Sequence, residues 1–313
     1  MHRKRVYLIG GGGFLGRPLA QLLKASRDVV VVGRSVEKPM LPSGVRYMCG
    51  DFDQHEVCQA IVQDADEIVH LAYATVPQTS FADPLFDLFG NLPSAVKLFD
   101  LASNSSKLKK LVVISSGGTV YGDHGSEQIN EAMPTNPISP YGITKLAIEK
   151  YAFFFHKTRG LPVSIVRPSN VYGPGQRGNT GQGFISAAMC AALENREIGI
   201  FGYPGTVRDY LHISDAASGI NAVLECGRDG EAYNLSTGTG ASNRDIVEIL
   251  SSKMIPLGYE VKVNKLPARS FDVQSNILDY SKLHAESGWS PKISLENGIF
   301  ETCQQAIEMM QEG

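Results

Sequence analysis

This chain of 313 residues lacks paired cysteines, long apolar runs and an excess of charge of one sign. The five cysteines are widely separated, and their odd number and spacing argue against a disulfide framework or a metal site. No stretch approaches the length of a membrane span, and the apolar run at 6–9 is too short for a signal peptide. A net charge of -3 gives no reason to expect nucleic acid or a membrane surface as partner. These absences favour a cytoplasmic globular protein.

Short β-branched segments alternate with helical patterns through the first half of the chain. The predicted strands lie at 6–9, 29–32, 67–71, 111–115 and 163–167. A first helix is predicted at 17–26. Continuous apolar strands separated by helices are typical of a parallel sheet that is covered on both faces. The pattern therefore predicts a Rossmann-type, doubly wound α/β fold.

The second half of the chain has a different pattern. The elements expected there are a loop at 173–183, a helix at 184–194, strands at 198–201 and 261–266, and a closing helix at 295–310. We expect this half to form a smaller C-terminal substrate-binding lobe over the carboxyl ends of the sheet. The dinucleotide-binding domain is predicted to span 1–173, with a return segment near 211–236, and the lobe mainly 174–313.

A glycine-rich loop separates the first predicted strand from the first helix. Gly10, Gly13 and Gly16 have the spacing GxxGxxG. Such glycines permit a tight turn, close approach of the backbone to a pyrophosphate, and packing of the helix on the strand. The helix N-terminus adds free N–H groups and a partial positive charge. The loop therefore predicts a site for the diphosphate of a dinucleotide.

The end of the second predicted strand bears on the choice between NAD and NADP. An acidic residue there would hold the ribose hydroxyls and repel a 2′-phosphate. Here Gly33 and Arg34 occupy this place, and a guanidinium suits the extra phosphate of NADP. NADP is slightly favoured, while NAD with a solvated or adenine-stacked Arg34 is the alternative. Asp51 and Phe52, after the next strand, are placed to receive the adenine.

A tyrosine and a lysine lie one turn apart in a predicted helix. Ser139 suits the N-cap and Pro140 the first helical position, so Tyr141 and Lys145 share a face. A phenol with its usual pKa of about 10 is a poor base at neutral pH. An ammonium beside it would lower that pKa and could also hold the nicotinamide ribose. Tyrosine–lysine pairs at this spacing are common by chance, so the pair indicates oxidation–reduction chemistry with Tyr141 as the base only together with further motifs.

Three further motifs accompany this pair. They are ISSGGTVYG at 114–122, RPSNVYGP at 167–174 and RDYLHISD at 208–215. Together with the glycine loop and Tyr141–Lys145, they resemble the extended short-chain dehydrogenase/reductases, specifically the NAD-dependent epimerase/dehydratase group that includes UDP-galactose 4-epimerase. The resemblance extends from residue 6 to about residue 289.

The resemblance implies a nucleotide-sugar 4-epimerase acting on UDP-glucose and UDP-galactose or on their N-acetylhexosamine equivalents. It implies that Tyr141 takes the proton of the sugar hydroxyl and that Lys145 holds the cofactor ribose. With Arg34 included, the expected cofactor-binding residues are Gly10, Gly13, Phe14, Leu15, Gly16, Arg34, Asp51, Phe52, Leu71, Ala72, Tyr141 and Lys145. The expected substrate-binding residues are Asn170, Arg208, Tyr210, Arg269, Asp272 and Asn276.

The chain departs from this family at several positions. Gly117 replaces the serine that usually hydrogen-bonds the sugar hydroxyl, and Ser116 or Thr119 could act in its place. The related 4,6-dehydratases carry an Asp-Glu pair where this chain has Gly118 and Thr119, so dehydration is not expected. Asn276 is smaller than the aromatic residue that excludes N-acetyl sugars, so an N-acetylhexosamine could fit.

Two other functions compete with epimerisation. An NADP-dependent 4-keto-sugar reductase would use the same residues, and Gly33–Arg34 favours it slightly. A non-catalytic nucleotide-binding scaffold is the other rival, but it has no need of Tyr141 and Lys145. Polysaccharide biosynthesis and galactose metabolism are both consistent with the sequence.

A homodimer is also expected from the family resemblance. Its members commonly pair through two helices, here the helix after Asn91 and the helix that begins at Tyr141. The segment 92–101 carries more apolar residues than one buried face requires. Packing against the sheet alone would also explain that excess.

Overall fold

The computed structural model describes residues 3–125, 127–176, 178, 183–269 and 272–312, except the side chains of 309–312. The strands are β1 (Arg5–Ile9), β2 (Asp28–Gly33), β3 (Arg46–Cys49), β4 (Glu67–His70), β5 (Lys110–Ile114), β6 (Gln128–Ile129), β7 (Val163–Pro168), β8 (Asn170–Tyr172), β9 (Glu197–Phe201), β10 (Val207–His212), β11 (Ala232–Leu235), β12 (Gly240–Ser242), β13 (Lys262–Leu266) and β14 (Ser275–Leu278). The α-helices are α1 (Gly16–Leu23), α2 (His55–Asp64), α3 (Pro77–Ala82), α4 (Pro84–Ser103), α5 (Gly117–Val120), α6 (Pro140–Arg159), α7 (Phe184–Leu193), α8 (Ile213–Cys226), α9 (Asn243–Met254), α10 (Ser281–Ser287) and α11 (Leu295–Glu312).

A parallel sheet forms the centre of the larger part of the molecule. Within the described residues it has seven strands in the order β11-β7-β5-β4-β1-β2-β3. Strands β1, β4, β5 and β7 are buried along almost their whole length. One face packs against α2, α4 and α6, and the other against α1 and α8. Burial on both faces explains the continuous apolar strands, and the predicted doubly wound fold is confirmed.

A second group of strands forms the smaller lobe. Its sheet has the order β12-β10-β14-β6, with β8 also paired to β10. Strands β13 and β9 form a separate parallel pair. Between these strands, the chain returns to the larger part, where α8 packs on α1 and β11 pairs with β7. In the part of the chain that is described, no helix combines the length and apolar character needed to cross a bilayer.

Some predicted boundaries were wrong. The first helix ends at Leu23 rather than at 26, and the fourth strand of the sheet ends at His70 rather than at 71. The helix expected after Asn91 begins at Pro84 instead. Asp83 caps its N-terminus by accepting from the Phe86 N–H at 2.9 Å. Because a proline in the first turn leaves no hydrogen bond unmade, Pro84 suits this early start.

The apolar excess of segment 92–101 does not mark an exposed face. Ala95, Leu98 and Phe99 are fully buried against the sheet. The apolar side chains that α4 exposes lie one to two turns earlier, at Leu85, Phe86 and Phe89. Of the two explanations for the excess, packing against the sheet therefore accounts for this segment, which also packs against α2 and α6.

A buried ion pair fixes α6 to the sheet. Glu149 on α6 is fully buried and receives two hydrogen bonds from the Arg167 guanidinium, at 3.0 and 2.6 Å. The Ser115 hydroxyl, at the end of β5, also donates to Glu149. Arg167 in turn donates to the Tyr121 phenol oxygen at 2.9 Å. The pair therefore ties α6 to the carboxyl ends of β5 and β7.

Replacing Arg167 by methionine tests this linkage. The Arg167→Met variant leaves a carboxylate buried without its cation, so we expect a loss of about 3–5 kcal/mol in the free energy of unfolding. Urea titration followed by circular dichroism measures the loss. Arg244→Met, which removes an exposed ion pair with Glu248, is the matched control and should change little. Equal stability of the two variants would contradict the role of the buried pair.

Candidate active site

The glycine loop lies against the carboxyl end of β4. Gly10 has φ +81°, and a Cβ there would lie only 2.7 Å from the Ala72 backbone. A Cβ at Gly16 would lie 2.4 Å from the Gly11 backbone. Both positions therefore require glycine, and the loop backbone approaches the strand end closely. Phe14 and Leu15 are half-buried at the entrance to α1, whose first turn carries no acidic side chain.

The other expected cofactor residues border the same edge. Leu71 continues from β4 and donates its N–H to the Ile9 carbonyl oxygen at 2.9 Å. Phe52 stands edge-on to the His70 imidazole, with the ring centroids 5.2 Å apart. The Asp51 carboxylate accepts the Asp53 N–H at 3.1 Å. The structure thus brings the glycine loop, the end of β4 and the loop after β3 together.

The residues present fit a dinucleotide. The glycine loop leaves a space that side chains at Gly10 and Gly16 would fill, and this space lies next to the N-terminus of α1. His70 Nε2 is buried and has no hydrogen-bond partner, and burial lowers the pKa of this imidazole to about 3. Buried polar atoms are normally hydrogen-bonded, so a bound ligand would supply the partner that His70 Nε2 lacks. Arg34 is exposed just past β2, where the cofactor ribose would be expected.

Tyr141 and Lys145 occupy the first turns of α6. Ser139 caps the helix by accepting the Gly142 N–H at 3.1 Å, as its sequence predicts. Tyr141 and Lys145 are 9% and 5% exposed, and the Lys145 ammonium donates to the Ile114 carbonyl oxygen at 2.8 Å. Burial lowers the pKa of Lys145 to about 7, against the opposing charges of Glu149 and Asp87. Burial also raises the pKa of Tyr141.

Sequence reasoning missed two groups beside this pair. The Tyr73 ring stands edge-on to the Tyr141 ring, with centroids 4.8 Å apart, and lies under the Lys145 ammonium. Asp87 of α4 is fully buried behind Tyr73. The available signals were a tyrosine just past a strand end and a lone acid within the apolar start of α4. Neither signal shows which residues the two would meet.

Leu278 explains the missing serine at Gly117. A Cβ at Gly117 would lie 2.3 Å from Leu278 Cδ1 and 3.0 Å from the Arg167 carbonyl oxygen. A serine there would therefore clash with the sheet of the smaller lobe. Of the two candidate hydroxyls, Thr119 Oγ1 is buried without a hydrogen-bond partner. Ser116 is half-exposed at the N-cap of α5 and makes no capping bond.

Three expected substrate residues line one cavity. Asn170, Arg208 and Tyr210 form its walls together with Thr206 and Asn243. The Arg208 guanidinium donates to the Val207 carbonyl oxygen at 2.8 Å. Burial lowers the pKa of Arg208, an effect that the nearby Asp272 carboxylate opposes. Asn170 Nδ2 is buried without a partner at the edge of this cavity.

Asn276 connects this cavity with the region of Tyr141. In the register of β10 and β14, Asn276 lies opposite Arg208. Its Nδ2 donates to the Gly117 carbonyl oxygen at 3.3 Å, whereas its Oδ1 is buried without a partner. Arg269 is exposed, pairs with Asp272 at 2.9 Å, and stacks 4.1 Å from the Phe201 ring centroid. The structure therefore brings Asn170, Arg208 and Tyr210 together with Asn276 beside them, while Arg269 and Asp272 form a pair outside the residues that line the cavity.

Comparison with known proteins agrees with this arrangement. The model of the NAD dependent epimerase/dehydratase family matches residues 6–236. A UDP-glucose 4-epimerase of Mycolicibacterium smegmatis is 29% identical, over 96% of this chain and 97% of its own length. The crystal structure of a UDP-glucose 4-epimerase from Thermotoga maritima with UDP-glucose is 28% identical, with a TM-score of 0.90 over 98% of this chain and 99% of that one.

A dTDP-glucose 4,6-dehydratase from Streptomyces venezuelae, solved with NAD bound, is also similar. It is 26% identical, with a TM-score of 0.88 and coverage of 98% of both chains. The similar proteins thus include both epimerases and dehydratases, and both kinds act on nucleotide sugars. Together with the confirmed fold, the match over residues 6–236 identifies the family: this chain belongs to the NAD-dependent epimerase/dehydratase family.

Proposed function

We propose that the protein is a nucleotide-sugar 4-epimerase. One observation supports this proposal above the others. Three buried polar atoms without partners, Thr119 Oγ1, Asn170 Nδ2 and Asn276 Oδ1, belong to segments that surround Gly117, Gly118 and the N-terminus of α6. Buried polar groups are normally hydrogen-bonded, so such a cluster calls for a polar ligand with several hydroxyls. A hexose beside Tyr141 meets that requirement.

The proposed reaction uses Tyr141 as the base. Its phenol oxygen accepts the proton of the sugar 4-hydroxyl, and the Lys145 ammonium stabilises the phenolate that this role requires. The chemistry that a bound nicotinamide supplies is reversible exchange of hydride with C4 of the sugar. Arg208 and Arg269 hold the diphosphate, because guanidinium forks suit its oxygens. The resulting 4-keto sugar turns and is reduced on its other face.

Thr119 is the hydroxyl that we propose in place of the missing serine. Its Oγ1 is buried and unpaired, whereas Ser116 is half-exposed at a helix N-cap. The Thr119 carbonyl oxygen lies 2.7 Å from where a Cβ of Gly142 would be, so the Thr119 backbone packs against the turn that carries Tyr141. A short path from the sugar hydroxyl to the phenol through Thr119 is therefore consistent with the packing.

Dehydration and net reduction are less well supported. A dehydratase needs an acid and a base at the positions of Gly118 and Thr119. Neither residue can take these two roles. Position 33 is a glycine rather than an acidic residue, and the exposed Arg34 follows it. Both features favour NADP slightly, so a 4-keto-sugar reductase is the second candidate. A solved relative with NAD bound supports the alternative cofactor.

Assay of the purified protein without added cofactor tests the function. With UDP-glucose or UDP-N-acetylglucosamine, we expect formation of the C4 epimer, because the cofactor is regenerated in each cycle. Tyr141→Phe should lower kcat by about 100-fold or more, since the base is lost. Turnover only with a keto sugar and added NADPH would favour the reductase instead. Chromatography of the cofactor released on denaturation distinguishes NAD from NADP.

The two candidate hydroxyls can be separated by substitution. Thr119→Val keeps the shape of the side chain but removes the hydroxyl, so we expect kcat to fall about 10-fold, as for one lost hydrogen bond of about 1.5 kcal/mol. Ser116→Ala should reduce kcat less than Thr119→Val does. Steady-state kinetics with the same sugar nucleotide measures both. The reverse order would assign the relay to Ser116.

We also propose a homodimer formed through α4 and α6. The two helices pack side by side and expose apolar side chains at helical spacing. These side chains, together called the outer apolar face, are Leu85, Phe86, Phe89, Ile143, Tyr151 and Phe154. Monomeric proteins rarely expose contiguous apolar surface of this kind. A second copy of the chain is the occupant that family resemblance and helix pairing favour.

A charge placed in the outer apolar face should dissociate this dimer. Phe89 is 68% exposed, so Phe89→Glu should leave the monomer folded while it disrupts the paired surface. Sedimentation velocity is expected to show the wild type as a dimer and the variant as a monomer. Phe300→Glu, on the 44% exposed Phe300 of α11, is the control that should remain dimeric. A monomeric wild type would refute the proposed pairing.

A further inference from the structure

Tyr73 is in contact with both members of the Tyr141–Lys145 pair. It lies on the loop between β4 and α3. The Lys145 ammonium nitrogen is 3.9 Å from the Tyr73 ring centroid but 5.6 Å from that of Tyr141. The face of an aromatic ring carries partial negative charge and attracts a cation at this distance. In this structure, Tyr73 is therefore the closer aromatic partner of the ammonium.

Asp87 lies on the far side of the Tyr73 phenol. The Tyr73 hydroxyl is 3.4 Å from one Asp87 carboxyl oxygen, and the Thr75 hydroxyl donates to the other. Asn91 fixes the same loop, because its Oδ1 accepts the Ala74 N–H at 2.7 Å. Asp87 is fully buried and its carboxyl group lies beside the Tyr73 hydroxyl. The positions of the carboxyl group and of the ring therefore depend on each other.

The charged groups around Lys145 differ in how they are balanced. Glu149, one turn further along α6, is already paired with the Arg167 guanidinium. His70, on β4, is a neutral imidazole, since burial lowers its pKa to about 3. The carboxylates of Glu149 and then Asp87 both raise the pKa of Lys145, and Asp87 also raises that of Tyr141. Among the described residues Asp87 makes no ion pair, so it is the carboxylate near Lys145 that no other cation pairs.

We propose that Tyr73, supported by Asp87, is a positioning residue that holds the Lys145 ammonium charged and in place beside Tyr141. The proposal rests on the proposed function only for the role of Lys145 in the reaction. The Tyr73 ring provides the surface on which the ammonium lies, and the Asp87 carboxyl group provides the opposite charge behind the ring. Without them, burial alone would favour loss of the Lys145 proton.

Three variants separate these contributions. Tyr73→Leu removes the ring and keeps the apolar volume, Asp87→Asn removes the charge and keeps the shape, and Tyr73→Phe keeps the ring but loses the link to Asp87. Asp100→Asn is the matched control, because it removes an exposed carboxylate of the same helix, paired with Arg159, and leaves Tyr73 and Asp87 unchanged. Circular dichroism confirms that each variant is folded.

The first readout does not depend on catalysis. The protein is labelled with ¹³C at the lysine ε-carbons, and the Lys145 signal is identified by its absence in Lys145→Met. We expect Tyr73→Leu and Asp87→Asn each to lower the Lys145 titration midpoint by about one pH unit. Tyr73→Phe should shift it less, and Asp100→Asn should leave it unchanged. An unchanged midpoint in folded Tyr73→Leu or in folded Asp87→Asn overturns the proposal.

The second readout is the pH profile of kcat/KM for epimerisation. Lys145 is charged below its pKa, so a lower pKa moves the alkaline limb of the profile to lower pH. We expect this limb to move by about one unit in Tyr73→Leu and Asp87→Asn, and not in Asp100→Asn. An inactive wild-type protein would count against the proposed epimerase alone, because the lysine titration would still decide the role of Tyr73.

Discussion

The buried ion pair between Glu149 and Arg167 is the constraint on which the geometry around Tyr141 depends. It joins α6 to the carboxyl ends of β5 and β7, and Lys145 lies one turn before Glu149 on the same helix. Lys145 also donates to the last residue of β5, so two polar contacts hold one face of α6. A charge pair in the interior tolerates little displacement, because either partner alone would be costly to bury. The position of Tyr141 follows from that of the helix.

Strand β14 of the smaller lobe contacts α5, which packs against this helix. Asn276 and Leu278 are two residues apart on the strand, so their side chains point to the same side. That side faces α5, where Asn276 donates to the Gly117 carbonyl oxygen and Leu278 fills the space that a side chain at Gly117 would need. The absence of a side chain at Gly117 and the position of Leu278 therefore fit together. The reaction proposed here uses a hydroxyl from another residue.

The sequence was informative where the determinants are local. The glycine spacing, the Ser139 cap and the Tyr141–Lys145 spacing all lie within single elements, and the structure has each of those elements. The contacts of Gly117 with Leu278, and of Lys145 with Tyr73, join segments that are distant in the chain, so no periodicity reveals them. The apolar excess at 92–101 left two explanations open for a related reason. Hydrophobic counts along one helix cannot distinguish packing against several neighbours from exposure.

The charges of the site are divided between two ends. Near Tyr141, the carboxylates of Glu149 and Asp87 both favour the charged form of Lys145, and Glu149 is also paired with Arg167. At the other end, burial lowers the pKa of Arg208, and its guanidinium donates to the Val207 carbonyl oxygen. On the proposed function, a diphosphate would supply the negative charge that Arg208 lacks, while the neutral sugar extends toward Tyr141. Binding energy from the diphosphate would then position C4 without altering the charge balance at Lys145. Such a division suits an enzyme in which the sugar must turn while the nucleotide stays bound.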